Sequence, residues 1–392
     1  MSEDGSQPGT ERTGIASRLP RNGWLTTIGF AVGVLLFPWF LVEGLAIFAD
    51  LLAAVSRFVL VDLLWLEAGI DLALGGFSSL APLVLIYGIV VVGFNILLGY
   101  TGLLSFGHAA FFGTAAYTAG VVSWTVGEPV VMMVAGAIAA VLIAWPIGWV
   151  SIRRTGVYFA VITLTFGQML YFWALGPGAW LTNGDDGFSA FETGALLGTF
   201  DLGQPVVEGV AVLEMYTWEY VFVGVVAIGA VWTAKRIIDS PYGLIFEALG
   251  QNQQRVSFVG LDVSRYKLMA FVISAAFAGV GGALWAMHES YVHPGTAYYW
   301  IQSGDFVIMT ILGGAGSVVG PVFGAFIFEY VSNVISGIRL PVIGAIGSLW
   351  RIVLGAVFVV IVWWFPRGIY PPIRDGIAGL VGRLRSRGGG EE

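Results

Sequence analysis

Few polar side chains interrupt the long apolar runs of this sequence, and most carry no charge: Asn95, Ser105, His108, Thr163, Thr165, Gln168 and Asn333. They can exchange hydrogen bonds, but they do not make a catalytic set. Bond-making chemistry would want a nucleophile with a base, paired carboxylates or a metal cluster within those runs, and none is present, so the pattern points away from an enzyme. Cysteine is absent, which excludes disulfides, thiolate-ligated metals and thiol catalysis. No G-x-x-x-x-G-K-[ST] loop is present to cradle a nucleotide's phosphates. His108, one of three histidines, stands beside Ser105 within a glycine-rich stretch. Either it acts in a pore or gate, or it hydrogen-bonds a backbone carbonyl freed where a helix breaks. His288 and His293 read as part of an outer rim, with too few ligands for a metal site.

The elements that position these residues must be membrane helices. Hydrophobic residues make up 57% of the chain and charged residues only 11%, which leaves too little polar surface for a water-soluble domain. Apolar runs of about twenty residues recur from Trp24 to Phe365, each long enough to cross roughly 30 Å of hydrocarbon. A closed barrel would need short strands of alternating polarity, and AGAIAAVLIAWPIGWV shows no such alternation. The fold class expected is therefore all-α and polytopic, with about ten spans, at 24–48, 79–98, 106–126, 130–150, 157–175, 216–234, 266–288, 302–313, 318–336 and 347–365. Residues 1–23 read as a disordered tail, 24–365 as the membrane domain and 366–392 as a basic tail. The net charge of −7 argues against a nucleic-acid partner.

Charge sets the expected orientation. Arg12, Arg18, Arg21, Arg153, Arg154, Lys235, Arg236, Arg255, Arg265, Lys267, Arg367, Arg374, Arg383, Arg385 and Arg387 fall on one side, which the positive-inside rule makes the cytoplasm. Both termini are then cytoplasmic. The opposite loops, 49–78, 176–215 and 289–301, are rich in acidic residues. Asp305 and Glu329 are the acidic residues nearest the hydrocarbon, and an ion-coupled secondary transporter would use such a carboxylate. Asp305 reads as close to the outer interface and Glu329 lacks an evident basic partner, so this reading is the weaker one.

Two stretches break the helical pattern with clustered glycines, GYTGLLSFGHAAFFG at 99–113 and GGAGSVVGPVFG at 313–324. They suggest an internal repeat pairing spans 2–5 with 7–10, with a path where the breaks face one another. Close helix packing through small residues is the alternative reading of the same glycines. The 235–265 segment is the long cytoplasmic loop. Ser240 before Pro241 predicts a helix start, with the helix running towards Gly250, and a second short helix is expected from Gln251 to Val259, ended by Gly260.

Four motifs carry a family likeness: GYTGLLSFGHAAFFG with the following AYTAG; RRTGVYFAVITLTFGQMLYF at 153–172; LTNGDDGF at 181–188; and the stretch from SPYGLIFEALG through GLDVSRYKLMAFVISAAFAGVGGAL to MTILGGAGSVVGPVFGA, with FPRGI at 365–369. The chain resembles the permease subunits of branched-chain amino acid ABC importers over roughly residues 80 to 370. It departs in carrying Asp305 where glutamate is more usual, and in a longer 50–78 segment. The resemblance implies a multi-pass protein of a prokaryotic cell membrane, in contact with lipid. Its implied partners are a second homologous permease subunit, two cytoplasmic ATP-binding subunits and an extracytoplasmic solute-binding protein. No cofactor is then bound by this chain, and ATP is used by the partner subunits.

On the resemblance, the translocation path would draw on Asn95, Gly99, Gly102, Ser105, His108, Thr163, Gln168, Gly313, Gly314 and Gly316. Contact with the ATPase would involve Ser240, Pro241, Glu247, Ala248, Gly250, Arg255 and Gly260, with Glu247 to Gly250 resembling a short acidic-small-glycine coupling signature. Largely neutral path residues suit an amino acid zwitterion, for which a buried unpaired charge would be costly. Relatives of similar sequence carry urea and short amides, so these stand as alternative solutes.

Overall fold

A computed structural model describes residues 23–41, 80–189, 191–207, 216–337, 339–340, 344–345, 350–365 and 368–370. The expected tail 1–23, apart from Gly23, lies outside the described residues, as do the outer segment 49–78 and most of the basic tail 366–392.

In chain order the elements are α1 (Gly23–Trp39), α2 (Leu80–Asn95) continued by one π-helical turn (Ile96–Tyr100), α3 (His108–Ser123), α4 (Pro129–Ser151) and α5 (Val157–Leu175). A one-turn α6 (Ala179–Thr182), α7 (Trp218–Ile238), α8 (Pro241–Gln251), α9 (Gln253–Phe258) and α10 (Val263–Glu289) follow. The last are the one-turn α11 (Pro294–Ala297), α12 (Trp300–Gly313), α13 (Gly320–Gly337), the antiparallel pair β1 (Arg339–Leu340) and β2 (Gly344–Ala345), and α14 (Trp350–Trp364). Among the described residues, five helices are long and apolar enough to cross a membrane: Leu80–Tyr100, Pro129–Ser151, Val157–Leu175, Trp218–Ile238 and Val263–Glu289. Thr26–Trp39 and Leu354–Trp364 are shorter apolar helices.

Local chemistry explains where these helices begin and end. The Glu128 carboxylate accepts from Val131 N–H at 2.9 Å and Pro129 fills the first helical position, so α4 starts there. Asp262 starts α10 by accepting from the N–H groups of Ser264 and Arg265 at 3.0 and 3.2 Å. In α1, Pro38 has no N–H to offer the carbonyl four residues back, that of Val34. The Tyr220 hydroxyl of α7 donates to that carbonyl instead, and Tyr216 donates to the Leu35 carbonyl at 2.7 Å.

Helix α10 forms the axis. It packs most extensively against α4, α3 and α2, and a run of small residues explains how three helices reach it. A Cβ on Gly279 would lie 2.6 Å from Ala140 Cβ in α4, one on Gly281 would run into Val90 of α2, and one on Gly282 would overlap the Phe112 carbonyl of α3. Every residue of α2 except Leu83 is buried. By contrast α4 and α5 turn Leu142, Trp145, Val161 and Phe172 outwards, which in lipid costs nothing. The element order does not align the two glycine breaks as a repeat of spans 2–5 with 7–10 requires. The first break follows the first helix of its group, α2, and the second follows α12, which comes after α10.

Gly282→Val is expected to lower thermal stability in detergent by about 1–3 kcal/mol, because backbone cannot move aside as a flexible side chain can. Gly229→Ala, at a position with nothing within 4 Å of the added methyl, should leave the melting temperature unchanged. Equal melting of the two variants would contradict the packing described.

Candidate functional site

The site is assembled where the two glycine breaks meet. Helix α2 loosens into its π turn just after Asn95, and the chain then runs through a coil from Thr101 to Gly107 before α3 begins. Thr101 Oγ1 donates to the Leu97 carbonyl at 2.6 Å, and the N–H groups of Gly102 and Leu103 donate to Leu98 and Leu97 at 3.2 and 3.1 Å, so the break is a hydrogen-bonded turn. The second break joins α12 to α13. Gly314 (φ 112°) ends α12 and Gly316 has φ 85°, conformations that favour glycine. The Ser317 hydroxyl closes this turn on the Gly314 carbonyl at 2.8 Å.

Asn95 joins the two. Its Oδ1 accepts from Gly316 N–H at 2.8 Å, and its Nδ2 donates to the Ser317 carbonyl at 2.8 Å. The side chain is 1% exposed, and both ends of the carboxamide are used in the orientation each partner requires. Gly99 permits the approach, since a Cβ there would strike both Asn95 Oδ1 and Gly316 N. Behind the second break, Gly368 packs on Gly314, and Ile369 N–H donates to the Leu312 carbonyl at 3.1 Å.

His108 opens α3 and is wholly buried. Its Nδ1 pairs with Ser105 Oγ at 2.9 Å and its Nε2 with Ser274 Oγ of α10 at 2.8 Å. Phe94, Phe111 and Phe271 meet the ring edge-on, with centroids 4.8, 5.3 and 5.7 Å away. The partner expected for it at the helix break, a backbone carbonyl, is not what it binds: serine hydroxyls serve the histidine, and other serine contacts serve the backbone. Gly107 N–H donates to Ser105 Oγ at 3.3 Å and Ala109 N–H to Ser303 Oγ of α12 at 2.8 Å. The free donors at the start of α3 are thus met from the preceding coil and from a neighbouring helix.

Thr163 is buried on α5, with its hydroxyl returned to the Ala160 carbonyl at 2.9 Å, while its own carbonyl lies against Gly107. Gln168 is half-buried, and its Nε2 is enclosed without an acceptor among the described residues. The structure therefore gathers Asn95, Gly99, Gly313, Gly314 and Gly316 into one junction, and Ser105 with His108 into a second, adjoining cluster. Gly102 lies elsewhere, turned towards helix α8: a Cβ on it would be 3.7 Å from Gly250 Cα. No group of three or more potential metal ligands occurs among the described residues.

The expected cytoplasmic segment forms two short helices, α8 and α9, close to the expected bounds. Ser240 occupies the cap position of α8, but its hydroxyl donates back to the Ile237 carbonyl and caps nothing. Asn252 is the working cap of α9, accepting from Gln254 and Arg255 N–H at 3.0 and 3.1 Å. Pro241 and Arg255 are exposed, Glu247 and Ala248 half-buried, and Gly260 ends the segment at φ 89°.

Residues 76–362, which include both breaks and the α8–α9 segment, match the family described as branched-chain amino acid transport system / permease component. The chain belongs to this family. It is similar to the high-affinity branched-chain amino acid transport system permease protein LivM of Escherichia coli (strain K12), 27% identical over 313 residues, covering 76% of this chain and 71% of that one. It is also similar to the corresponding permease protein LivH of Salmonella typhimurium, 23% identical over 62% of this chain and 79% of the relative. An autoinducer 2 import system permease protein, LsrC of Enterobacter sp. (strain 638), is 28% identical over 36% of this chain and 39% of its own length. No solved structure matches the chain.

Several residues that build this permease's junction were not singled out by sequence reasoning: Ser274, Ser303, Ser317 and Tyr100. A lone serine in an apolar helix was the only signal for the first two, and such a serine usually bonds its own helix. Replacing His108 with Leu should strand two buried hydroxyls and lower thermal stability by about 1–3 kcal/mol. His108→Gln, which keeps a donor and an acceptor, should lose less. A His108→Leu protein that melts with the unsubstituted one would remove the cluster's structural role.

Proposed function

We propose that this permease forms one half of the membrane path of an ABC importer for branched-chain amino acids. It would work with a second, similar permease, two cytoplasmic ATPase subunits and an extracytoplasmic solute-binding protein. The observation that carries the reading is the family match, which spans both glycine breaks and the cytoplasmic helices together. In this reading the chain crosses the membrane about ten times with both termini in the cytoplasm, as its basic loops require. The solute passes beside the junction of the two breaks. Helix α12 supports this placement: its 14 residues rise about 21 Å, short of the roughly 30 Å of hydrocarbon, so the turn after it falls at membrane depth.

The neutral side chains at the junction suit a zwitterion that carries its own opposite charges. Urea and short amides would pass the same groups, and the binding protein would then choose among solutes. On the cytoplasmic side, α8, α9 and the residue after it expose Tyr242, Leu244, Phe258 and Val259, the last two at 86% and 79%. A partner that covers these side chains removes apolar surface from water, which suits the ATPase subunits. The competing reading, ion coupling, would use Asp305 and Glu329.

The test is uptake of radiolabelled leucine into proteoliposomes holding the permease with its partner permease, ATPases and binding protein, with and without a proton gradient. Uptake that needs ATP and the binding protein and ignores the gradient is expected. Uptake by this chain alone, driven by the gradient, would overturn the importer and point to Asp305 and Glu329. In the same complex, Leu244→Asp with Phe258→Asp should reduce ATPase co-purification several-fold while the permease's own melting temperature stays unchanged.

A further inference from the structure

Two contacts at opposite ends of one short turn place Asn95 between the cytoplasmic helix and the second glycine break. At the far end, Gly250 of α8 lies directly against the Tyr100 carbonyl, so closely that a Cβ on Gly250 would overlap it. This is backbone on backbone, with no side chain between to bend and absorb a displacement. At the near end, Asn95 holds Gly316 and Ser317. Between them runs only the π turn Ile96–Tyr100, braced by Thr101, Gly102 and Leu103 bonding back to Leu97 and Leu98. Single π turns are uncommon and concentrate at functional sites.

We propose that Asn95 is a positioning residue for transport: it transmits displacement of α8, through the π turn, to the Gly313–Gly320 break, so that the two breaks shift together. The proposal rests on the reading of α8 as the helix that meets the ATPase. Its mechanical content, however, belongs to this chain alone. Asn95 touches no reacting group; it acts by holding the second break to the first. Without it, the π turn still abuts Gly316 through Gly99 and can push it, but nothing draws the second break along when the turn moves away, so the response to α8 is reduced. Gly99 has the complementary part, since its missing side chain lets the turns lie in contact.

A merely structural Asn95 would stabilise the fold without making the second break respond to α8, and a double-substitution cycle separates the two roles. The chain has no cysteine, so Ala315→Cys, at an exposed position within the second break, puts its only thiol there. The rate at which a soluble maleimide labels this thiol is measured in the full chain. Gly250→Ala, which forces the Tyr100 carbonyl aside, is expected to change that rate several-fold when Asn95 is present and to change it several-fold less in the Asn95→Leu background. Asn95→Asp, which still accepts from Gly316 N–H but as a carboxylate cannot donate to the Ser317 carbonyl, should keep part of the response. It also serves if Asn95→Leu fails to fold. An equal effect of Gly250→Ala in both backgrounds, or no effect in either, would overturn the proposal.

In the assembled importer, Asn95→Leu should raise the ATP hydrolysed per leucine imported several-fold while ATPase association is retained. An unchanged ratio would also count against it. Should the unsubstituted complex import without ATP, the functional reading would fail, while the labelling cycle would still decide whether Asn95 links the two elements.

Discussion

A backbone N–H or C=O freed inside a membrane finds no water, and leaving it unpaired costs several kcal/mol. Nearly every feature of the junction follows from that constraint. Breaking a helix at Asn95 and again at Gly313 creates free donors and acceptors, and the protein answers with short polar side chains from within the breaks and from other helices. Asn95 serves Gly316 and Ser317. Ser303 serves Ala109, and Ser105 serves Gly107. The same rule explains Tyr220, which bonds the Val34 carbonyl left without its helical donor by Pro38. At these places the freed backbone groups are thus paired with protein side chains.

Glycine makes this economy possible. The approaches of Gly99 to Gly316, Gly250 to Tyr100 and Gly282 to Phe112 each bring backbone to a distance that a methyl group would forbid. With hydrocarbon outside as apolar as the helix surfaces, burial of apolar area gives little reason for helices to associate, and close packing with internal hydrogen bonds takes that part. The result is an interior with α2 and α10 at its centre and an outer layer, α4 and α5, whose large side chains face outwards. Such an arrangement can be rigid at its axis and still leave the breaks as the places where the chain can change shape, which is what a transporter that alternates between states requires.

His108 shows how a sequence can single out a residue and leave its hydrogen-bond partners open. A histidine in a glycine break draws attention, and two uses were open to it, a part in the path or a bond to a freed carbonyl. The structure surrounds it with three aromatic rings and pairs both ring nitrogens with hydroxyls. Ser240 is a similar case at the start of α8, where the residue stands at the cap position and its hydroxyl turns the other way. In both, the residue was found and the partner was not, because residue type and spacing say which groups need a partner and leave its identity open.

Apolar run length and the placement of glycine and proline are local quantities, and they determined the all-helical class, most helix positions and the two breaks. Helix α5 occupies the very residues 157–175 that its sequence suggests. The family likeness, carried by long ordered motifs, was equally legible. What only the tertiary structure decided is which of these pieces meet. Asn95 and Gly316 are 221 residues apart, and His108 and Ser274 are 166 apart. No periodicity links positions so distant, and the short reach of a carboxamide or an imidazole means that helix crossing geometry, set by packing across the whole bundle, determines whether they touch.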